Sequence, residues 1–145
     1  MRSYGLIGYP LGHSFSRKFF TEKFLRENLQ EQYLNFELKD LSLLPGVIAG
    51  NESLSGLNVT IPYKEKVLVF MNHLDPVSSE TGAVNTIRIL REKEGVTLEG
   101  YNTDVYGFSD SLKPLLKPYH RKALVLGTGG AAKAVKYALD SLGVE

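Results

Sequence analysis

The chain has 145 residues, enough for one domain with its own hydrophobic core and too few for two domains of ordinary size. Its 43% apolar residues exclude a disordered chain, and no apolar run is long enough to cross a bilayer. The 17 basic and 16 acidic residues are scattered and give a net charge of +1, so we expect no surface for nucleic acid or anionic membrane. The absence of cysteine excludes disulfides and thiolate chemistry. Because the N-terminus also lacks a signal-peptide pattern, we expect a cytoplasmic protein.

The first part of the chain alternates short apolar strands with helical segments. Strands are predicted at residues 3–8, 33–38 and 54–60, where apolar residues run together or alternate. Phenylalanines and leucines at helical spacing predict a helix after the first strand, and residues 42–49 predict a short second helix. This β-α-β-α-β order favours a parallel sheet with helices packed on its faces.

The motif N-V-T-I-P-Y-K, at residues 58–64, follows the third strand. Asn58 and Thr60 alternate and therefore share one face of the strand end. Pro62 has no N–H for a sheet ladder, so it ends the strand and places Lys64 at a corner where it can overhang a pocket. A polar strand end with a solvated lysine is the alternative interpretation.

The segment after this motif predicts one helix and a hairpin. Residues 64–74 have a helical pattern that Asp75 and Pro76 should close. Two β-like runs follow, at residues 83–91 and 96–102, and E-K-E-G between them predicts a tight connection. The hairpin would add antiparallel strands, so the sheet should be mixed.

The remaining residues predict a helix and the beginning of a second unit. Residues 104–116 are helical in pattern, and a strand-like run at residues 123–126 leads through G-T-G-G-A-A into an alanine-rich helix that ends near Gly143. We therefore divide the chain into residues 1–104 and 105–145. One strand and one helix cannot bury their apolar faces alone, so we expect an incomplete Rossmann-like βα unit in a fragment. An unpaired apolar strand there could pair with a second copy of the chain, so a homodimer is a further possibility.

Two serines, Ser14 and Ser16, follow the first strand. Their hydroxyls stand where a helix begins with free N–H groups, which suits a carboxylate or a phosphate. Alternatively, Ser16 only caps the helix and Ser14 is a turn residue. His13 has no second histidine at a metal-binding spacing, so we assign no metal.

Two further polar side chains stand at predicted junctions between elements. Asn85, in G-A-V-N-T, carries an amide that can donate and accept, which suits a substrate hydroxyl, although asparagine is also common in turns. Asp104, in N-T-D, begins the helix at residues 104–116. Thr103 or Asp104 would be a good helix N-cap, and that interpretation needs no function.

The glycine-rich turn at residues 127–132 lies between a predicted strand and a predicted helix, as a dinucleotide fingerprint requires. Gly127 allows the tight turn, Gly129 lets a pyrophosphate approach the backbone, and Ala132 permits close helix packing. The residue about 20 positions further on, which separates NAD from NADP, would lie beyond Glu145. The predicted cofactor-binding residues are Gly127, Thr128, Gly129, Gly130 and Ala131.

In this order, the motifs S-x-S, N-V-T-x-P-x-K, G-A-V-N-T, N-T-D and G-x-G-G-A resemble shikimate dehydrogenase over nearly the whole chain. The resemblance implies NADPH-dependent reduction of 3-dehydroshikimate to shikimate, with Lys64 and Asp104 as the catalytic pair. The expected fold is an α/β three-layer sandwich with a mixed, mainly parallel sheet. The implied substrate-binding residues are Ser14 and Ser16 for the carboxylate, and Asn58, Thr60, Asn85 and Asp104 for the ring hydroxyls.

Two departures from the family pattern are present. Arg17 stands where the family often has proline. The rest of the family's cofactor domain and its last substrate contacts have no counterpart in these 145 residues, so we expect no turnover by this chain alone. A quinate/shikimate dehydrogenase of broader specificity and a non-catalytic sensor remain alternatives, although the presence of both Lys64 and Asp104 argues against the sensor.

Overall fold

A six-stranded mixed sheet forms the centre of the molecule in the computed structural model, which describes residues 1–12, 14–93 and 95–145. The strands are β1 (Ser3–Gly8), β2 (Gln32–Glu37), β3 (Leu54–Val59), β4 (His73–Leu74), β5 (Thr86–Glu92) and β6 (Gly95–Tyr101). The helices are α1 (Phe15–Arg26), α2 (Leu44–Ala49), α3 (Pro76–Thr81), α4 (Asp104–Leu112) and α5 (Gly130–Ser141), and short 3₁₀ segments cover Leu41–Leu43, Lys66–Phe70 and Lys113–Leu115. No described helix is long and apolar enough to span a membrane.

The strand order is β2-β1-β3-β5-β6-β4, and its pairings confirm the predicted mixed sheet. β1 pairs in parallel with β2 and β3, and β4 pairs in parallel with β6. The hairpin of β5 and β6 is antiparallel, and β5 also runs antiparallel to β3. The pairing of β3 with β5 sets Asn58 opposite Thr86, so the end of β3 lies beside the start of the hairpin.

Helices cover both faces of the sheet, which confirms the three-layer arrangement. Leu6 and Ile7 are neighbours on β1 and point to opposite faces, as strand geometry requires. Leu6 joins Phe24 of α1 in a small cluster, whereas Ile7 joins Leu44 and Ile48 of α2 in the main core. Each fully buried leucine or isoleucine stabilises the fold by about 1.5–3 kcal/mol, so the main core supplies most of the stability.

The helix predicted over residues 64–74 is wrong. Only a 3₁₀ segment, Lys66–Phe70, forms there, and the chain then extends into β4. The Asn72 N–H donates to the Leu98 carbonyl at 2.9 Å, and the Leu98 N–H donates to Asn72 Oδ1 at 2.8 Å. These long-range bonds to β6 replace the helical bonds that the local pattern indicated.

Asp75 and Pro76 begin a helix and do not close one. Asp75 Oδ1 accepts a 2.9 Å hydrogen bond from the Ser78 N–H, which caps α3, and Pro76 occupies its first turn. Gly82 caps the C-terminus of α3, and its φ of 61° lies in the left-handed region that favours glycine.

The strand predicted at residues 123–126 is absent from the described structure, and Leu124 and Leu126 are 83% and 85% exposed. A strand needs a paired neighbour, and the six-stranded sheet does not reach this segment. Instead, two backbone hydrogen bonds in the parallel pattern join the start of this segment to Glu145. Glu145 N–H donates to the Arg121 carbonyl at 2.9 Å, and Ala123 N–H donates to the Glu145 carbonyl at 2.7 Å.

The predicted alanine-rich helix is present as α5, and it packs on the rest of the molecule. Ala134 and Ala138 are fully buried and form an apolar cluster with Val105 of α4. Small side chains let the two helices approach closely. The helix predicted at residues 104–116 is shorter than expected and ends at Leu112, because Pro114 cannot donate a helical hydrogen bond.

Candidate active site

Lys64 and Asp104 form an ion pair in which Lys64 Nζ lies 2.6 Å from Asp104 Oδ2. Lys64 lies between β3 and the Lys66–Phe70 segment, and Asp104 is the first residue of α4. The side chains are 17% and 33% exposed, so the charges attract each other more strongly than they would in water. The Lys64 carbonyl accepts a 2.8 Å bond from the Val84 N–H, which fixes the backbone of the lysine.

Asn85 holds the carboxylate of this pair. Its Nδ2 donates to Asp104 Oδ1 at 2.7 Å and to Thr103 Oγ1 at 2.9 Å, and its Oδ1 accepts from the Thr103 N–H at 2.8 Å. Asn85 is only 8% exposed, and both of its donor hydrogens are engaged. In this structure its amide therefore orients Asp104, and direct contact with a ring hydroxyl stays a prediction.

Asn102 holds the backbone of Asp104, and sequence reasoning assigned Asn102 no role. Its Oδ1 accepts from the Asp104 N–H at 3.2 Å, while its Nδ2 donates to the Ala83 carbonyl at 3.0 Å. Asn102 is 1% exposed, so these bonds satisfy a buried amide. Thr103 occupies the N-cap position of α4, but its side chain makes no cap bond.

Asn58 is connected to Asn85 through the Thr86 hydroxyl. Asn58 Nδ2 lies 3.4 Å from Thr86 Oγ1, which donates to Asn85 Oδ1 at 3.0 Å. On its other side, Asn58 Oδ1 accepts a 2.7 Å hydrogen bond from the Tyr33 hydroxyl. A continuous polar line therefore runs from Tyr33 through Asn58 to Lys64.

Tyr33 and Thr86 are parts of this line that sequence reasoning missed. Tyr33 alternates with its neighbours like any half-buried strand residue, so the local pattern gives no functional signal. Burial raises the pKa of Tyr33 to about 12, although a hydrogen bond with Ser16 partly opposes this change. The hydroxyl therefore stays protonated at neutral pH and donates to Asn58.

Ser14, Ser16 and Thr60 line one cavity of about 320 Å³ beside the start of α1. Ser14 occupies the N-cap position and makes no side-chain cap bond, and its buried Oγ has no partner among the described residues. A buried hydroxyl without a partner is available to a ligand. The structure therefore brings the two serines together with Thr60, while His13 lies outside the described residues.

The glycine-rich turn leaves its backbone uncovered at Gly127 and Gly129. Gly127 has a φ of 134°, which favours glycine, and a Cβ added at Gly129 would meet no atom within 4 Å. Gly129 is the N-cap residue of the 12-residue helix α5. Because glycine has no side chain, no side-chain cap bonds to the first N–H groups of α5. Thr128 and Ala131 are exposed beside it, and cofactor contact by this set of residues stays a prediction.

Gly130 differs from the other residues of the turn because it is buried against Lys64. The sequence assigned the close-packing position to Ala132, but Ala132 is only partly buried. Among the residues that the structure describes, no group of three histidine, aspartate or glutamate side chains could hold a metal ion.

Comparisons with known proteins show which family the chain resembles. The model of the shikimate dehydrogenase substrate binding domain matches residues 6–87. The shikimate dehydrogenase (NADP(+)) of Caldanaerobacter subterraneus is 41% identical over 145 residues, which cover 98% of this chain and 50% of that protein. A crystal structure of shikimate dehydrogenase 1 from Peptoclostridium difficile matches with a TM-score of 0.88 and 38% identity, over 100% of this chain and 53% of that chain.

A shikimate 5-dehydrogenase from Thermus thermophilus, solved in complex with NADP(H) and shikimate, matches with a TM-score of 0.84 and 35% identity, over 100% of this chain and 54% of that chain. The chain therefore spans about half the length of the relatives it matches. Because the family model covers more than half of its residues, the chain belongs to the shikimate dehydrogenase substrate binding domain family.

Proposed function

We propose that this chain supplies the substrate-binding domain and the catalytic pair of an NADP-dependent shikimate dehydrogenase, which interconverts 3-dehydroshikimate and shikimate. The observation that carries the proposal is the partly buried ion pair of Lys64 and Asp104 at the end of a line of hydrogen-bonding side chains. The names of the relatives and the shikimate complex of a similar structure support the substrate.

Lys64 is the proton donor in this proposal. When a hydride reaches a carbonyl carbon, negative charge develops on the oxygen, and the ammonium of Lys64 can meet that charge and transfer a proton. In the reverse direction, neutral Lys64 accepts the proton of the substrate hydroxyl. Asp104 holds Lys64 Nζ at 2.6 Å, and Asn85 orients Asp104, so these two side chains position the lysine. NADPH, when bound, supplies the hydride.

The substrate carboxylate would bind at Ser14 and Ser16. The support is the partnerless Ser14 Oγ and the free N–H groups expected at the start of α1, which favour an anion. Ring hydroxyls would contact Thr60, Asn58, Asn85 and Asp104. The 3.4 Å contact between Asn58 Nδ2 and Thr86 is long, so a substrate oxygen can replace it at small cost.

The diphosphate of NADP would bind at the glycine-rich turn. Gly127 and Gly129 leave the backbone open, and the N-terminus of α5 supplies N–H groups and a partial positive charge. Thr128, Gly130 and Ala131 complete the proposed contact set. The choice of NADP over NAD rests on the names of the relatives alone.

A homodimer is a further part of the proposal. The support is the extended segment that contains Leu124 and Leu126, whose side chains are more than four-fifths exposed outside the sheet. Light scattering on the chain tests it. A monomer at every concentration contradicts a dimer, and loss of a dimer in a double variant, Leu124→Ser with Leu126→Ser, supports this segment as the contact.

Calorimetric titration with shikimate tests the proposed function directly. We expect the wild-type chain and a Lys66→Met control to bind shikimate, because Lys66 is exposed and outside the site. A double variant, Ser14→Ala with Ser16→Ala, should bind more weakly. Because the relatives are about twice as long, we expect binding by these 145 residues without NADP-linked turnover. A wild-type chain that fails to bind shikimate, or that binds quinate better, contradicts the proposed substrate.

A further inference from the structure

Gly130, the first residue of α5, packs directly against the side chain of Lys64. A Cβ added at Gly130 would lie 2.8 Å from Lys64 Cβ, 3.4 Å from Lys64 Cδ and 3.2 Å from Ala83 Cβ. Carbon atoms do not approach within 3.0 Å without displacement of one of them, so this contact requires glycine. The N-terminus of the glycine-rich helix is therefore in contact with the lysine of the ion pair.

This contact limits the conformations of a side chain that is otherwise long and flexible. The Lys64 backbone is fixed by the bond from Val84, and its Nζ is fixed by Asp104. Between these two points lie four methylene groups, whose rotatable bonds give an unrestrained lysine side chain many rotamers. Gly130 and Ala83 form a wall beside those methylene groups, so fewer rotamers fit between the fixed ends.

A second contact joins the same two segments one turn further along α5. Lys133 Nζ lies 2.5 Å from Glu65 Oε2, and Glu65 follows Lys64 directly in the chain. The two side chains are 40% and 41% exposed, so a pair of this kind contributes little to stability. The pair nevertheless joins α5 to the residue that directly follows Lys64.

We propose that Gly130 and the ion pair of Glu65 with Lys133 position Lys64 against Asp104. The glycine-rich turn then has a second role, because a change at Gly130 disturbs the catalytic lysine even when no dinucleotide is bound. The importance of Lys64 rests on the proposed function, but the positioning itself is a property of the ligand-free chain. Gly130, Glu65 and Lys133 are positioning residues, since none of them needs to touch the substrate.

The test compares Gly130→Ala with Gly107→Ala in the ligand-free chain. Gly107 lies on α4, is exposed and has no atom within 4 Å of an added Cβ, so it is a matched control. The first measurement is the NMR signal of the Lys64 ammonium group, which is assigned by comparison with Lys64→Arg. We expect Gly130→Ala to shift or broaden this signal and Gly107→Ala to leave it unchanged.

The second measurement is the acetylation rate of Lys64, relative to that of exposed Lys66 in the same molecule, by mass spectrometry. A lysine released from its carboxylate reacts faster, and loss of one hydrogen bond of 0.5–1.5 kcal/mol corresponds to about a two- to tenfold increase. We expect that increase in Gly130→Ala and none in Gly107→Ala. Unchanged signal and unchanged rate in a folded Gly130→Ala variant overturn the proposal.

Variants of the ion pair decide the question if Gly130→Ala does not fold. Lys133→Met and Glu65→Gln change half-exposed side chains and should both raise the Lys64 acetylation rate, whereas Lys133→Arg should restore the wild-type rate. Lys136→Met is the control, because Lys136 forms an exposed ion pair with Asp140 on the same helix. A Lys64 that is unaffected by Lys133→Met and Glu65→Gln overturns the proposal. These measurements need no shikimate, so failure of shikimate binding would contradict only the proposed function.

Discussion

Tyr33 on β2 donates a 2.7 Å hydrogen bond to Asn58 Oδ1 on β3, although β1 lies between these strands. The ring of Phe20 stacks on the Tyr33 ring, with centroids 4.6 Å apart and planes inclined by 12°. The aromatic contact fixes the ring, and the hydroxyl in turn fixes which way the Asn58 amide faces. The Asn58 Nδ2 group is thereby directed towards Thr86 and the rest of the candidate site.

The first prediction concerns Tyr33→Phe, which removes this hydroxyl and keeps the ring. The Asn58 amide can then rotate, so we expect shikimate affinity to fall about two- to tenfold, which corresponds to one net hydrogen bond of 0.5–1.5 kcal/mol. Calorimetric titration measures the change. Tyr4→Phe is the control, because Tyr4 lies in the same aromatic cluster and makes no side-chain hydrogen bond among the described residues. Equal losses of affinity in both variants would contradict the role of the Tyr33 hydroxyl.

The second prediction is a dependence of stability on alkaline pH. Burial raises the pKa of Tyr33 to about 12, while the unfolded chain has the ordinary value of 10.0. Below pH 10 both states keep the proton and the stability is complete. Between pH 10 and 12 only the unfolded state releases it, so the free energy of unfolding falls by about 2–3 kcal/mol from this residue.

Urea denaturation across this pH range measures that decrease. Burial also raises the pKa of Tyr63, and a hydrogen bond to Glu99 raises that of Tyr101. More than one tyrosine therefore contributes to the pH dependence of wild-type stability. The difference between wild type and Tyr33→Phe isolates the one residue. We expect the free energy of unfolding of wild type, minus that of Tyr33→Phe, to fall by about 2–3 kcal/mol as the pH rises from 10 to 12. A constant difference would show that Tyr33 ionises in the folded state as it does in the unfolded chain.

The sequence predicted the parts of the site that depend on strand ends. Asn58 lies near the end of β3, Lys64 follows β3, and Ser14 follows the loop after β1, so local patterns indicated polar side chains near the edge of the sheet. The sequence could not show that Tyr33 reaches Asn58 across an intervening strand, because strand order is not encoded in a local period. It also could not show that Asn85 uses both donor hydrogens on neighbouring side chains.

The same limit explains the errors in the fold. Residues 64–74 have an apolar pattern at helical spacing, but Asn72 pairs with Leu98, and that contact joins residues 26 positions apart. Such tertiary contacts override the local helix propensity. Leu124 was expected in a strand because its neighbours are apolar. A strand also needs a neighbouring strand to pair with, and the local sequence pattern does not show whether one is present.

The third prediction concerns Lys64→Met in the full-length dehydrogenase that we propose. Methionine keeps most of the side-chain volume and removes the proton donor, so kcat should fall about 10²–10³-fold, as when one donor to a developing oxyanion is removed. Shikimate affinity should change less, because the lysine acts chiefly where charge develops. Steady-state kinetics separate the two effects. Turnover near the wild-type rate in Lys64→Met, with Lys66→Met as the control, would contradict the catalytic role.

The last prediction concerns Gly8, at the end of β1. A Cβ added there would lie 2.5 Å from Thr60 Cγ2 and 2.9 Å from Leu11 Cδ2, so Gly8→Ala forces the end of β3 away from the loop before α1. We expect a loss of about 1–3 kcal/mol in the free energy of unfolding, typical of overpacking. Gly46→Ala is the control, because a Cβ added at Gly46 meets no atom within 4 Å.

Gly8→Ala should also weaken shikimate binding, since Thr60 shares its cavity with Ser14 and Ser16. Urea denaturation and calorimetry on the same variant separate the two effects, because affinity is measured where the variant is still folded. If Gly8→Ala loses stability and binds shikimate with wild-type affinity, the spacing between Thr60 and the two serines does not matter for binding. A Gly46→Ala variant with wild-type affinity and stability would show that an added methyl group acts only where the strand ends meet.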